Sequence, residues 1–380
     1  MKIVIAPDSF KESLSASEAA SLIAEGIAPL LSHAELIQLP VADGGEGTSE
    51  ALVNATGGQW FSAQVSDPLG RLIVARWALL GDGETAVIDA AAASGLDLLA
   101  PESRNPWLTT TRGTGELILA ALDQGAKRFI IGLGGSATND AGAGMLQALG
   151  ARLLDQQGQE LQPGGGALSG LAQIDLSDFD PRLQQASFEI ACDVDNPLIG
   201  ENGASAIFGP QKGADPQMVR ALDTNLGHFG QLVERTLDKQ VINAPGAGAA
   251  GGLGAAFLAC FNASLKSGVD IVLDAVNIEH HLGDAQLVIT GEGRIDGQSL
   301  RGKTPIGVAR RAQKYGVPVV ALAGSVGRDI DAVYDEGITT VFSIVPGVCS
   351  LDEALKQGPD NLRFAAESLA RMLKLSGNLP

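Results

Sequence analysis

The sequence predicts an α/β protein of two domains: a doubly wound parallel sheet assembled from both ends of the chain, and a mixed α/β domain inserted between them. Three observations carry that prediction. Strand-like apolar runs alternate with helix-like segments at each end, the middle is less regular and rich in glycine, and 380 residues suffice for about two domains of roughly 150 each. The expected division is 1–70 with 284–380 for the first domain and 71–283 for the inserted one, with a cleft between them.

The elements follow in order. "KIVIAPD" opens as a strand, and "SASEAASLIAEGIAPLL" carries apolar residues at helical spacing, with Ser15 as N-cap and Glu18 at the capping-box offset. "ELIQLPVADGG" returns as a strand. This βαβ unit sets the loops "APDSFK" and "VADGGEG" at the carboxyl ends of two strands, where open parallel sheets bind ligands. In the middle, "GRLIVARWALLGDGETAVID" reads as a hairpin turning at GDGE. "GTGELILAALDQGAKRFIIGLGGSATNDAGAGMLQALG" reads as helix, strand, glycine-rich loop and helix. The far end gives a strand in "AQLVITGEG", its end placed near Thr290, a helix in "PIGVARRAQKYG", a strand in "VPVVALAG", a helix in "IDAVYDEG", a strand in "ITTVFSIVPG" and a final amphipathic helix.

Composition excludes several classes of function. A formal charge of -18 argues against nucleic acid and anionic membranes, which select basic faces, but leaves small anionic substrates open. The apolar runs are strand-length, well short of the roughly 20 residues a membrane span needs. "MKIVIAPDSF" lacks the pattern of a signal peptide. Cys192, Cys260 and Cys349 are scattered, odd in number and set in apolar contexts, so reduced, buried thiols and a cytoplasmic location are expected. His33, His228, His280 and His281 lack the spacing of a zinc site or of an acyl-transfer base. Glycine, 49 of 380 residues, clusters in discrete loops, where it lets a backbone approach a ligand.

Four stretches carry candidate chemistry. "VADGGEGT" places Asp43 and Glu46 among three glycines, more than a turn alone requires. "LGGSATNDAGAG" joins a strand to a helix, so Gly134, Gly135, Ser136 and Thr138 can present amides and hydroxyls to a phosphate at a helix N-terminus; capping by Asn139 or Asp140 is the alternative. "IACDVDNPLIG" puts Asp193 and Asp195 on one face of a strand end, as magnesium ligands or as turn residues before Asn196-Pro197. "GQSLRGKT" matches a P-loop letter for letter. Its context argues otherwise, because Gly291–Asp296 would separate it from its strand and Pro305 follows directly. Lys303 still suits an anion at a helix start. Upstream, Gly291 and Gly293 of "GEGRIDG" follow a strand at nucleotide-loop spacing, although Arg294 and Asp296 stand where small residues are wanted. "GAGAAG" follows no strand and reads as close packing of a Gly/Ala helix.

Glycine-rich strand-to-helix loops, loop carboxylates and the cations Lys11, Arg294, Arg301 and Lys303 together are what phosphoryl transfer requires: positioning, a metal, a cationic clamp and a carboxylate to take a hydroxyl proton. An ATP-dependent small-molecule kinase is the leading class. An NAD(P)-linked 2-hydroxy-acid dehydrogenase and a non-catalytic sugar-acid-binding protein are the alternatives.

"IVIAPDSFKESLSA", "PVADGGEGT", "TRGTGELILAAL", "IGLGGSATNDAGAGMLQALG", "ACDVDNPLIG", "FGPQKGA", "PGAGAAGGLG" and "LVITGEGRID" resemble, in order, stretches of the bacterial glycerate kinases that form 2-phosphoglycerate. The resemblance spans about residues 1–345. It implies ATP and Mg²⁺, D-glycerate as substrate in glyoxylate or aldarate breakdown, a cytoplasmic monomer or homodimer, and a Rossmann-like lobe with an inserted lobe. Asp8, Ser9, Lys11, Asp43, Glu46 and Arg294 become candidate substrate-binding residues. Asp193, Lys11 and Arg294 become candidate catalytic residues, and Asp43 and Asp193 candidate metal ligands. Gly134, Gly135, Ser136, Thr138, Gly291, Gly293 and Lys303 are the candidate nucleotide-binding set. Ala141 stands where relatives commonly carry glycine, which implies a backbone without positive φ at that position. Thr304 stands where relatives need no hydroxyl, which further weakens the P-loop reading.

Overall fold

The computed structural model describes residues 1–45, 47–300 and 302–376, and these divide into two units, Met1–Gly57 with Ser267–Pro380, and Gly58–Lys266. The sequence reading places the divisions after 70 and 283 instead. The difference arises because the strand Gln59–Ser66 pairs along its whole length with the strand Leu72–Leu79, while the helices Gly268–Ala275 and Ile278–Leu282 belong with the chain ends.

The N-terminal arm supplies β1 (Lys2–Ile5) and β2 (Glu35–Gln38). The insert supplies β3 (Gln59–Ser66), β4 (Leu72–Leu79), β5 (Thr85–Asp89), β6 (Arg128–Gly132), β7 (Arg152–Leu154), β8 (Gln173–Asp175), β9 (Ser187–Ala191) and β10 (Ala263–Lys266). The C-terminal arm supplies β11 (Leu287–Ile295), β12 (Val319–Val326) and β13 (Thr340–Ser343).

In the first unit the strands lie in the order β13-β12-β11-β1-β2, all parallel, with Ile3 beside Leu287 and Lys2 beside Glu35. Both faces of the sheet are covered, as parallel sheets require. Ile3, Ile5, Leu287, Ile289, Val320 and Leu322 pack under the helices Ala16–Ile27 and Gly358–Ser376. The alternate residues Val4, Val288, Val319 and Ala321 are equally buried and point to the opposite face. Helix Ala16–Ile27 starts where its sequence says it should: the Ser15 side chain accepts from the Glu18 amide at 3.2 Å, and Glu18 accepts from the Ser15 amide at 2.9 Å.

The second unit carries a six-stranded sheet in the order β10-β9-β6-β5-β4-β3, antiparallel from β3 to β5 and parallel from β5 to β10. The β4–β5 pair turns at the expected GDGE. Its core includes Phe129 stacked on Phe188 at 4.6 Å, with Phe257 and Phe261 beside them.

Four sequence expectations need correction. β11 does not end near Thr290 but runs on to Ile295, since Gly291 and Arg294 pair with Leu322 and Ser325 of β12. Ala141 adopts φ 53, so this position does require the left-handed region, and an alanine occupies it. Cys192 and Cys260 are half-buried and Cys349 is exposed, so the three thiols are free but not uniformly interior. The "GAGAAG" segment packs tightly, although not as a regular helix. Ala250, Gly251 and Gly252 are left-handed, and the Gly251 carbonyl accepts from the Ala141 amide at 3.0 Å.

Candidate active site

In the first unit the chain leaves β1 toward β2 on one side and leaves β11 toward β12 on the other, so the winding direction reverses between β1 and β11. At such a reversal the loops diverge and open a crevice at the carboxyl ends of the strands. Asp8 follows β1 and is pinned there, its amide donating to the Gly291 carbonyl at 2.8 Å. Glu292 sits on the neighbouring strand, β11.

Both acids are buried, and each is held by hydroxyl or amine donors. Asp8 accepts from the Ser9 amide on Oδ1 at 2.6 Å and from Thr304 Oγ1 on Oδ2 at 2.5 Å. Glu292 accepts from Ser299 Oγ at 2.9 Å and from Lys303 Nζ at 3.0 Å. Burial is the largest influence on Asp8, pushing it up to about 6; the Asp43 charge adds to the rise, while the Thr304 and Ser9 bonds oppose it. Burial likewise raises Glu292 to about 7 against the pull of Lys303 and Ser299, and the charge of Asp8 contributes to the rise. Asp8 and Glu292 therefore repel one another and sit near neutrality, with the Asp43 charge adding to the push on Asp8, in the range where a carboxylate can take and return a proton.

The surrounding residues frame this group. Asp43 lies after β2 and accepts from the Gly45 amide at 3.0 Å. Gly268 has no side chain because a Cβ there would collide with the Asp43 carbonyl, so the helix Gly268–Ala275 can approach the loop closely. Lys11 projects from a tight loop closed by reciprocal Phe10 and Leu14 backbone bonds at 2.9 Å, with Glu12 strained at φ 64. Arg294 is largely exposed and pairs with Asp296 at 2.7 Å. Glu46 and Arg301 lie outside the described residues.

The P-loop-like stretch is built differently from either expectation. Because β11 extends to Ile295, the motif does follow its strand directly, contrary to the first ground for rejecting it. Its functional side chains are nonetheless engaged within the protein: Lys303 stands at the N-cap position of the helix Thr304–Lys314 and its amine bonds Glu292, and Thr304 bonds Asp8. Gly291 and Gly293 belong to the strand itself, and a Cβ at 291 would strike the Leu322 carbonyl.

In the second unit the parallel strands β5, β6 and β9 end in register, with Asp89 beside Gly132 and Gly132 beside Ala191. The loop holding Gly134, Gly135, Ser136 and Thr138 and the loop holding Asp193 therefore leave the same sheet edge. Gly134 and Gly135 are exposed, whereas Ser136 and Thr138 are buried. Asp140 is buried and serves the capping alternative: it accepts from the amides of Gly142 and Gly144, each at 3.2 Å, and from the amide and hydroxyl of Thr111, each at 2.9 Å. Asp193 is exposed. Asp43 and Asp193, expected as metal ligands, belong to different units.

Sequence reasoning missed Glu292 and Lys212. Glu292 stands between two glycines in a stretch read as loop, and only its place on a strand beside Asp8 reveals it. Lys212 lies within "FGPQKGA", which composition alone does not mark.

Fold and site together define an α/β enzyme whose carboxylates and cations are arranged for a small anionic substrate. The model of the glycerate kinase family matches residues 3–374, and the chain belongs to that family. It is 56% identical to the glycerate kinase of Bacillus subtilis strain 168 over 376 residues, covering 99% of this chain and 98% of that protein. It is 54% identical to the glycerate 2-kinase of Escherichia coli K12 over 375 residues, with 99% and 98% covered. The crystal structure of a glycerate kinase 2 candidate from Salmonella typhimurium LT2 superposes with a TM-score of 0.93 at 51% identity, covering both chains fully.

Proposed function

We propose that this protein transfers the γ-phosphoryl group of ATP to the 2-hydroxyl of D-glycerate, in the cytoplasm, within glyoxylate or aldarate breakdown. The observation that carries the reading is the buried acid pair, Asp8 and Glu292, at the reversal point of the first unit's sheet, seated by Thr304 and Lys303. Family membership supports it and leaves the dehydrogenase and binding-protein readings without support.

The chemistry asks the protein for a proton acceptor, a clamp for charge, and orientation. Asp8, ionised, takes the proton of the glycerate hydroxyl as its oxygen attacks the γ-phosphorus and the bond to the β-phosphate oxygen breaks, releasing ADP. Asp8 replaces Asp193 as the proposed base because its burial and charged neighbours hold it near neutrality. Glu292, shared with Lys303, fixes the amine beside the crevice, where the ammonium offsets charge on the transferring oxygens. Lys11 and Arg294 are read as partners of the glycerate carboxylate or the γ-phosphate, with Ser9 beside them. In the second unit, the Gly134–Thr138 loop is read as holding phosphate and Asp193 as a ligand on the nucleotide side.

The donor set fits Mg²⁺ in a limited way. Among the described residues no group of three His, Cys, Asp or Glu side chains could hold a metal. Asp43, whose charge acts on Asp8, would supply an oxygen of the one or two that Mg²⁺ takes from protein when phosphates and water complete its shell, leaving Asp8 free to take the proton. The ion, when bound, neutralises phosphate charge.

Incubation with MgATP and D-glycerate, followed by phosphorus NMR, tests the reading. Formation of ADP and 2-phosphoglycerate is expected; 3-phosphoglycerate would refute the position, and no ADP release would refute the class.

A further inference from the structure

The second unit buries one lysine completely. Lys212 ends the short turn Pro210–Lys212 and is 2% exposed. An ammonium taken out of water ordinarily needs a carboxylate against it. Here Nζ donates instead to Ser136 Oγ at 2.9 Å and to the Thr138 carbonyl at 2.7 Å, both in the glycine-rich loop after β6. No ion pair joins Lys212 to an acid among the described residues: burial pulls its pKa down to about 7, and Asp140, acting only through space, opposes that fall. Its charge is thus spent on the loop and not on a counter-ion. Two further buried atoms at this loop, Thr138 Oγ1 and Asn139 Oδ1, have no hydrogen-bond partner. The loop's other side is bare: Gly134 and Gly135 are exposed, and a Cβ at 134 would meet nothing within 4 Å. An amine sealed against one part of a loop whose neighbouring backbone is open is a favourable seat for an anion, because an arriving negative charge favours the protonated ammonium and is attracted by it with little screening in a low-dielectric interior.

We propose that Lys212 is a positioning residue of the kinase reaction, the internal counter-charge that shapes residues 136–138 and makes the loop bind the phosphates of the nucleotide. The proposal rests on reading this loop as the phosphate-holding element. Lys212 itself does not touch the ligand. Losing its two charge-assisted bonds and its field weakens phosphate binding while leaving the glycerate side untouched.

Calorimetric titration with MgADP, alongside steady-state kinetics, separates this role from a merely structural one. Lys212→Met, of similar length and apolar, is expected to melt within a few degrees of the parent, to bind MgADP about tenfold or more weakly, and to keep its KM for D-glycerate within about twofold. Gly134→Val tests the underlying reading, because it adds bulk only to open space and should also weaken MgADP. If Gly134→Val weakens MgADP but folded Lys212→Met does not, Lys212 is only structural and the proposal fails while the loop reading stands. If neither variant changes MgADP affinity, the loop does not hold the nucleotide and both fall. Should Lys212→Met not fold, Lys212→Gln, which keeps a donor for the loop but no charge, decides: unchanged MgADP affinity overturns the proposal, and a several-fold loss supports it.

Discussion

Asp8 makes clearest how one residue can be costly to the fold and useful to the chemistry. Its carboxyl titrates near 6 when folded and near the ordinary 3.8 when unfolded, so the folded state holds the proton more tightly. Stability from this group is therefore full at low pH and declines as pH rises from about 4 through 6. Asp8→Asn removes the buried charge, so its stability relative to the parent should improve between pH 4 and pH 8 by on the order of 3 kcal/mol in urea titrations. The same change should cut turnover about 10²-fold or more. Asp193→Asn should do less, and the reverse ranking would return the base to Asp193. In the unmodified enzyme, kcat/KM should climb with pH through about 6 to 7 and then level off, as Asp8 and Glu292 ionise; a profile flat from pH 5 to 8 would exclude both. Asp8 and Asp43 were legible in the sequence because they sit in loops at the carboxyl ends of two strands. Glu292 was not, because a carboxylate inside a strand acquires meaning only from its neighbour across the sheet.

Among elements, β11 is where sequence reading and structure part most. Glycines at 291 and 293 look like a loop, since glycine is a poor strand former. The strand persists because the carbonyl of Leu322 comes too close for a side chain, so the glycine that weakens propensity is what permits the pairing. Gly291→Ala should cost about 2–3 kcal/mol in chemical denaturation as β12 is forced aside. Helix Ala16–Ile27 is the opposite case, specified locally from its first turn; Ser15→Ala should cost about 1 kcal/mol through the lost cap. Ala141 falls between them: its left-handed backbone is imposed by the turn into the next helix and by the Gly251 carbonyl, neither visible in the local sequence.

For the molecule as a whole, the alternation of strands and helices was enough to give the parallel sheet and its two chain ends, because period and turn chemistry are local. The strand order and the boundaries of the units were not legible, because they depend on which distant segments pair. Gly58–Lys266 is one continuous stretch with its own sheet and core, whereas the other unit needs both arms. A fragment of residues 58–266 should therefore unfold cooperatively in its own right, and a broad, non-cooperative melt by circular dichroism would contradict that.

The sheet order of the first unit also sets a timetable for the ribosome. β1 emerges first yet finishes in the interior of its sheet, bonded to a strand made far later: Thr290 reaches back 284 positions to Ala6. Until that late segment leaves the exit tunnel, the opening residues have one wing of their sheet and no other. The continuous insert can close meanwhile, so nascent chains halted before β11 should carry a folded middle and a protease-sensitive N-terminus.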